Sequence, residues 1–158
     1  MDRIDRAIIE HLRRDGRQSN IELAAAVGLS PSPCLRRVKR LEEDGVITGY
    51  HASLAPAAVD RGFEVLVSID LADQSPVTTQ RFEAELTSHR EVIEARRMFG
   101  SPDFEVVVAT RDLAAYEVFM STKLMTLPGL GRLISRFPMV LIKSDSPSRT
   151  RVVASRAV

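Results

Sequence analysis

The tetrapeptide Gly28-Leu29-Ser30-Pro31 stops one helix and starts another within two residues. Gly28 suits the left-handed cap that closes a short helix. Ser30 is a good N-cap, and Pro31 fits the first helical position, where its missing N–H costs nothing. Upstream, Ser19-Asn20-Ile21-Glu22 writes a capping box, in which Ser and Glu each satisfy an orphan backbone N–H. Ile21, Leu23, Ala24 and Val27 follow as the apolar face of that short helix. Downstream, Leu35, Val38 and Leu41 are expected as the buried stripe of the next, which ends at Gly45. Two short helices joined by a tight glycine-containing turn are the helix-turn-helix pattern.

An amphipathic helix precedes them: Ile4, Ile8, Ile9 and Leu12 lie on one stripe, and Gly16 is expected to take a left-handed cap. Val46–Ala52 alternates around Gly49, and the spacing predicts a small hairpin, the wing of a winged helix-turn-helix. Ala52–Arg61, with Pro56, reads as a linker.

The remainder changes period. Phe63–Leu71 is apolar at every second residue, which predicts a strand. A helix over 77–89, strands at Val92–Phe99 and Phe104–Ala109, a helix over Leu113–Leu127 and a last strand within Leu130–Ile142 follow. Pro138 restricts that last strand to an edge or a bulge. The order is βαββαβ, the ferredoxin-like arrangement. The chain is therefore expected to be α+β: residues 1–51 a winged helix-turn-helix, 52–61 a linker, 62–143 a ferredoxin-like domain for sensing and assembly, and 144–158 a basic tail.

Charge distribution points to a partner. The net charge of the 158-residue chain is only +1, yet Ser30–Leu41 holds Arg36, Arg37, Lys39 and Arg40 and no acid. A basic stripe in a neutral protein is what a DNA-reading surface looks like. In a helix-turn-helix the second helix offers its N-terminal residues to base edges. Ser30, Ser32, Pro33, Cys34, Arg36 and Arg37 are the expected DNA-contacting residues, with Lys39 and Arg40 on phosphates. Ser19 and Asn20, at the start of the preceding helix, are expected to touch backbone phosphate. The other reading pairs these arginines with Glu42, Glu43 or Asp44, and packs Cys34 as a small core residue.

Other chemistries find little support. One cysteine allows no internal disulfide, and His11, His51 and His89 are scattered without metal-ligand spacing. No paired carboxylates, nucleophile–base arrangement or phosphate-cradling loop is written in the chain, so neither a catalytic site nor a cofactor is expected. The N-terminus is charged within five residues, unlike a signal peptide, and no apolar run reaches the ~18 residues of a membrane span, so a cytoplasmic protein is expected.

The chain resembles the Lrp/AsnC family of feast/famine transcription regulators. The resemblance runs through Asp2-Arg3-Ile4-Asp5-Arg6-Ala7-Ile8-Ile9 and Asp15–Ala24, and is densest over Val27–Val38. It closes with Arg40-Leu41-Glu42, Gly45-Val46-Ile47 and Gly49-Tyr50. It is looser in the second half, where Gly100, Asp103, Ala115-Tyr116 and Leu127-Pro128-Gly129 match. The resemblance implies sequence-specific binding of double-stranded DNA, modulated by an amino acid or related small metabolite bound between dimers. It also implies a homodimer whose sheets pack together, assembled into an octamer or other ring. Effector contacts would fall on Gly100, Ser101, Pro102, Asp103, Ser135 and Arg136. In such a site the Asp103 carboxylate would face an ammonium group, and backbone N–H groups near Gly100 a carboxylate. The competing reading is an architectural DNA-compacting protein that answers no ligand.

Overall fold

A computed structural model describes residues 1–143; the basic tail, 144–158, lies outside the described residues. The chain divides into two compact units, Met1–Ala52 and a second beginning at Ser53.

The first unit holds three helices, α1 (Arg3–Arg14), α2 (Asn20–Ala26) and α3 (Pro31–Glu43). The Ser19–Glu22 capping box forms as expected. A second one starts α1: the Asp2 carboxylate accepts from the N–H of Asp5, and the Asp5 carboxylate from that of Asp2, each at 2.9 Å. Ser30 precedes α3 without a side-chain capping bond. Gly28 and Gly45 sit at φ +70° and +67°, where side chains are rarely tolerated. Gly16 does not take that conformation; α1 ends at Asp15, which is extended.

The core joins Ile8, Leu23, Ala24, Cys34 and Leu41, flanked by Ile4, Ile9, Leu12, Val27, Val38 and Ile47. Two expected core residues are not in it. Ile21 is 70% exposed and Leu35 44%. The helical repeat explains Leu35: with 3.6 residues per turn, Cys34, Val38 and Leu41 at i, i+4 and i+7 share a face, from which Leu35 is turned away. The expected hairpin over Val46–Ala52 is also absent, since the segment holds no strand. The N–H groups of Val46 and Ile47 both donate to the Leu41 carbonyl, so the chain folds back on the end of α3 instead of pairing with itself.

In the second unit a single 3-10 turn, Pro56–Val59, occupies the stretch expected as a linker, and Asp60 follows at φ 56°. Then come β1 (Phe63–Leu71), α4 (Pro76–Ser88), β2 (Val92–Arg97), β3 (Phe104–Thr110), α5 (Leu113–Thr122) and β4 (Leu130–Arg136). The sheet order is β2-β3-β1-β4, all pairs antiparallel, which is the expected ferredoxin-like fold. β4 is an edge strand and stops before Pro138. α5 ends earlier than its apolar pattern suggests, with a 3-10 turn at Leu124–Thr126.

Alternation sets the core. Val65, Val67, Ile69 and Leu71 face Phe82 and Leu86 of α4 and Tyr116 and Phe119 of α5. The even-numbered residues of β1 lie on the other face. Gly131 lets β4 approach β1 closely where the register shifts at Asp70/Leu71: a Cβ there would sit 2.7 Å from the Ala72 nitrogen.

Candidate nucleic-acid interface and effector cleft

The surface of α3 follows from its core face. Cys34, Val38 and Leu41 point inward, so Ser32, Arg36 and Lys39, at i, i+4 and i+7, form a stripe on the opposite side. All three are exposed or half-exposed, and neither Arg36 nor Lys39 makes an ion pair among the described residues. This stripe offers a hydroxyl and two free cations to an outside partner. Ser30 is exposed and Pro33 half-buried in the first turn.

Four expected DNA-contacting residues are placed differently. Cys34 is fully buried, and burial pushes its thiol above the usual range, so it packs the core rather than meeting a base. The Asn20 amide donates to the Pro31 carbonyl at 2.9 Å, tying α2 to the first turn of α3. Arg37 and Arg40 lie on the flank of α3 that faces α1. Arg37 Nη1 donates to Asp2 (2.6 Å) and to Asp5 (2.8 Å), and Arg40 Nη2 to both Asp5 oxygens (2.8 Å each). Asp5 is 1% exposed. The arginines are thus ion-paired, but to the start of α1 and not to Glu42, Glu43 or Asp44. The Asp5 N–H, with Arg37 second, holds the Asp2 carboxyl at about 2. The Asp2 N–H and Arg37 hold Asp5 below the usual carboxylate range. Ser19 keeps its hydroxyl within the capping box, where its bond to Glu22 lowers that carboxyl.

In the second unit the turn Gly100–Asp103 borders a cleft of about 450 Å³, which Asp70, Gln74, Arg97 and Phe99 also line. Asp103 reaches across to the end of β1, accepting from the Leu71 N–H at 2.7 Å and the Gln74 amide at 2.9 Å. Its carboxylate is held in place by these donors. Asp70, which no sequence signal singles out, accepts the Ser101 hydroxyl at 3.1 Å and presents the freer carboxylate to the cleft.

Ser135 and Arg136 do not join this cleft within one chain. β4 lies at the opposite edge of the sheet from β2, and neighbouring residues on a strand point to opposite faces. Ser135 shares a hydrogen bond with the Tyr116 hydroxyl on the helix side. Arg136 donates to Ser68 (2.6 Å) and to Glu105 (3.0 Å) on the other.

Two family descriptions match the chain: "Winged helix-turn-helix DNA-binding" over residues 1–48, and "Lrp/AsnC ligand binding domain" over residues 64–148. The chain belongs to the Lrp/AsnC family. It is a transcription regulator with a DNA-binding helix-turn-helix and the family's ligand-binding domain. It is 42% identical over 132 residues to the leucine-responsive regulatory protein of Escherichia coli K12, covering 82% of this chain and 79% of that one. The Haemophilus influenzae protein of the same name is 41% identical over 130 residues, covering 82% and 78%. Among solved structures, a Neisseria meningitidis transcriptional regulator in complex with L-Met superposes with a TM-score of 0.85 at 30% identity, covering 91% of this chain and 93% of the other. An AsnC family regulator from Agrobacterium tumefaciens gives 0.84 at 38% identity, covering 91% and 94%.

Proposed function

We propose that the chain reads operator DNA with the Ser32–Arg36–Lys39 stripe of α3, and that an amino acid bound at the Gly100–Asp103 cleft changes its affinity for that DNA. The observation carrying the first part is the pair of unpaired cations opposite the buried face of α3. Arg36, near the helix start, is placed to pair with guanine, which discriminates by roughly 1–3 kcal/mol. Lys39 sits further along for phosphate, and Ser19 and Ser30 flank the stripe.

The second part rests on the polar cleft, where Asp70 and Ser101 stand ready for an ammonium group beside the turn that Asp103 fixes. The regulator bound to L-Met supports an amino acid as the ligand class. Ser135 and Arg136 enter such a site only from a neighbouring subunit. This fits homodimers packed through their sheets and joined in a ring, such as an octamer. In this reading residues 1–51 bind DNA, 62–143 sense and assemble, 52–61 connect them, and the chain works in the cytoplasm without catalysing a reaction. No helix among the described residues is long and apolar enough to cross a membrane. Ligand-independent compaction is the less favoured reading, because it leaves the ligand-binding domain without a task.

The test is thermal unfolding with each of the twenty amino acids at millimolar concentration. A ligand at about 100 times its Kd stabilises by roughly 2.7 kcal/mol. A rise in Tm with one or a few amino acids is expected; no rise with any overturns the sensing role.

A further inference from the structure

Four charged groups meet where α1 crosses α3: Asp2, Asp5, Arg37 and Arg40. Asp5 is buried and touches both guanidinium groups, while Asp2 is half-exposed and touches Arg37 alone. The two arginines retain 27% and 52% exposure of their side chains, so solvent and solutes still reach them. Arg36 and Lys39, on the same helix, have no such partners among the described residues. The basic stretch is thus divided by its neighbours: two cations are free, and two are neutralised by the protein's own carboxylates.

That division has a consequence for DNA. Every Lys or Arg that neutralises a phosphate releases counterions and strengthens binding to any sequence, while adding no discrimination. We propose that Asp2 and Asp5 withhold Arg37 and Arg40 from phosphates, so that these carboxylates limit how tightly the chain holds DNA of any sequence and how steeply that affinity falls with salt. The inference rests on the reading that α3 is the DNA-facing helix. Asp2 and Asp5 thus set the sequence-independent part of DNA affinity without touching DNA.

Asparagine tests this cleanly. Asp2→Asn removes the charge but keeps a good N-cap oxygen for α1. Asp5→Asn removes the carboxylate shared by both arginines and keeps an acceptor. The measurement is fluorescence anisotropy of a random-sequence duplex and of a selected binding site, from 50 to 200 mM salt, with the intact protein. The control is Glu85→Gln, which removes one charge from the second unit. Each further phosphate that the protein neutralises steepens the plot of log K against log salt by about 0.9, so affinity at 50 mM relative to 200 mM rises about 3.5-fold for one phosphate and about twelvefold for two. Expected is a steeper slope and a higher low-salt affinity on both duplexes in Asp2→Asn and more so in Asp5→Asn, with the ratio of specific to random affinity kept and no change in Glu85→Gln. A carboxylate that merely holds the fold would lower affinity for both duplexes instead, and that result overturns the inference. Should Asp5→Asn lose its helical circular dichroism, Asp2→Asn decides alone. Wild-type slopes retained in the folded variants refute the inference. A wild type whose affinity ignores salt refutes the DNA-binding reading beneath it.

Discussion

Replacing Ile8 with alanine removes most of a side chain that has no exposed surface and sits at the centre of the first unit's small core. Its neighbours come from all three helices. Deletions of this kind cost about 2–5 kcal/mol, the transfer term plus the cavity. Native stability averages roughly 0.05–0.15 kcal/mol per residue, so a unit of Met1–Ala52 holds about 3–8 kcal/mol in all. The substitution therefore removes from about a quarter to nearly all of what holds α3 in place. Circular dichroism is expected to show the transition of the first unit lowered by about 8–40 °C, taking ~4–8 °C per kcal/mol for a small domain. The second unit keeps its transition, and DNA affinity falls while any amino-acid binding persists. Ile8→Val, at about 0.5–1.5 kcal/mol, should restore most of the loss. A shift of Ile8→Ala no larger than that of a surface substitution, within about 0.5 kcal/mol, refutes the assignment of this core.

Arg36→Ala leaves every described ion pair of the first unit intact and is expected to reduce discrimination between the best site and its variants by about 1–3 kcal/mol in competition binding, with assembly unchanged. Asp103→Ala strands the Leu71 N–H and frees Gln74, so the cleft loses its fixed turn; amino-acid-dependent stabilisation should vanish, at a cost of about 1–3 kcal/mol in the unliganded protein. Acid should loosen the start of α1. The Asp2 carboxyl stands at about 2 against an ordinary 3.8, so its contribution is present above pH 4 and is lost as pH falls towards 2. Acid titration of the first unit followed by circular dichroism is expected to show this loss, and Asp2→Asn to flatten the profile between those values.

Local signals in the sequence carry far. Period-2 apolar alternation locates β1 at its observed bounds, Phe63–Leu71, because both its length and its buried face are written in consecutive residues. The Ser19–Glu22 box and the Gly28–Pro31 turn are legible for the same reason: their hydrogen bonds join residues close in the chain. The departures have other causes. Leucine is more apolar than cysteine, which favours Leu35 for the core, yet position on the helix decides, and Cys34 holds the inward position. Arg37 and Arg40 find partners more than thirty residues away, and only the folded unit brings α1 against α3. No hairpin forms over Val46–Ala52 because the end of α3 offers its donors a nearer acceptor. The separation of Ser135 from Arg136 is legible, since adjacent residues of a strand face opposite ways. The commitment of Asp103 to Leu71 and Gln74 is not, because it joins β1 to a turn some thirty residues on.

The most direct measurement is the affinity of the intact protein for a duplex selected from a random pool, taken by anisotropy with and without the amino acid that raises its Tm most. Coupling of two sites in a regulator typically changes affinity about 5- to 150-fold, and by reciprocity bound DNA must change amino-acid affinity by the same factor. The account predicts a change of that size, lost in Asp103→Ala and retained in Arg36→Ala. Tight, selective DNA binding that no amino acid alters would contradict it.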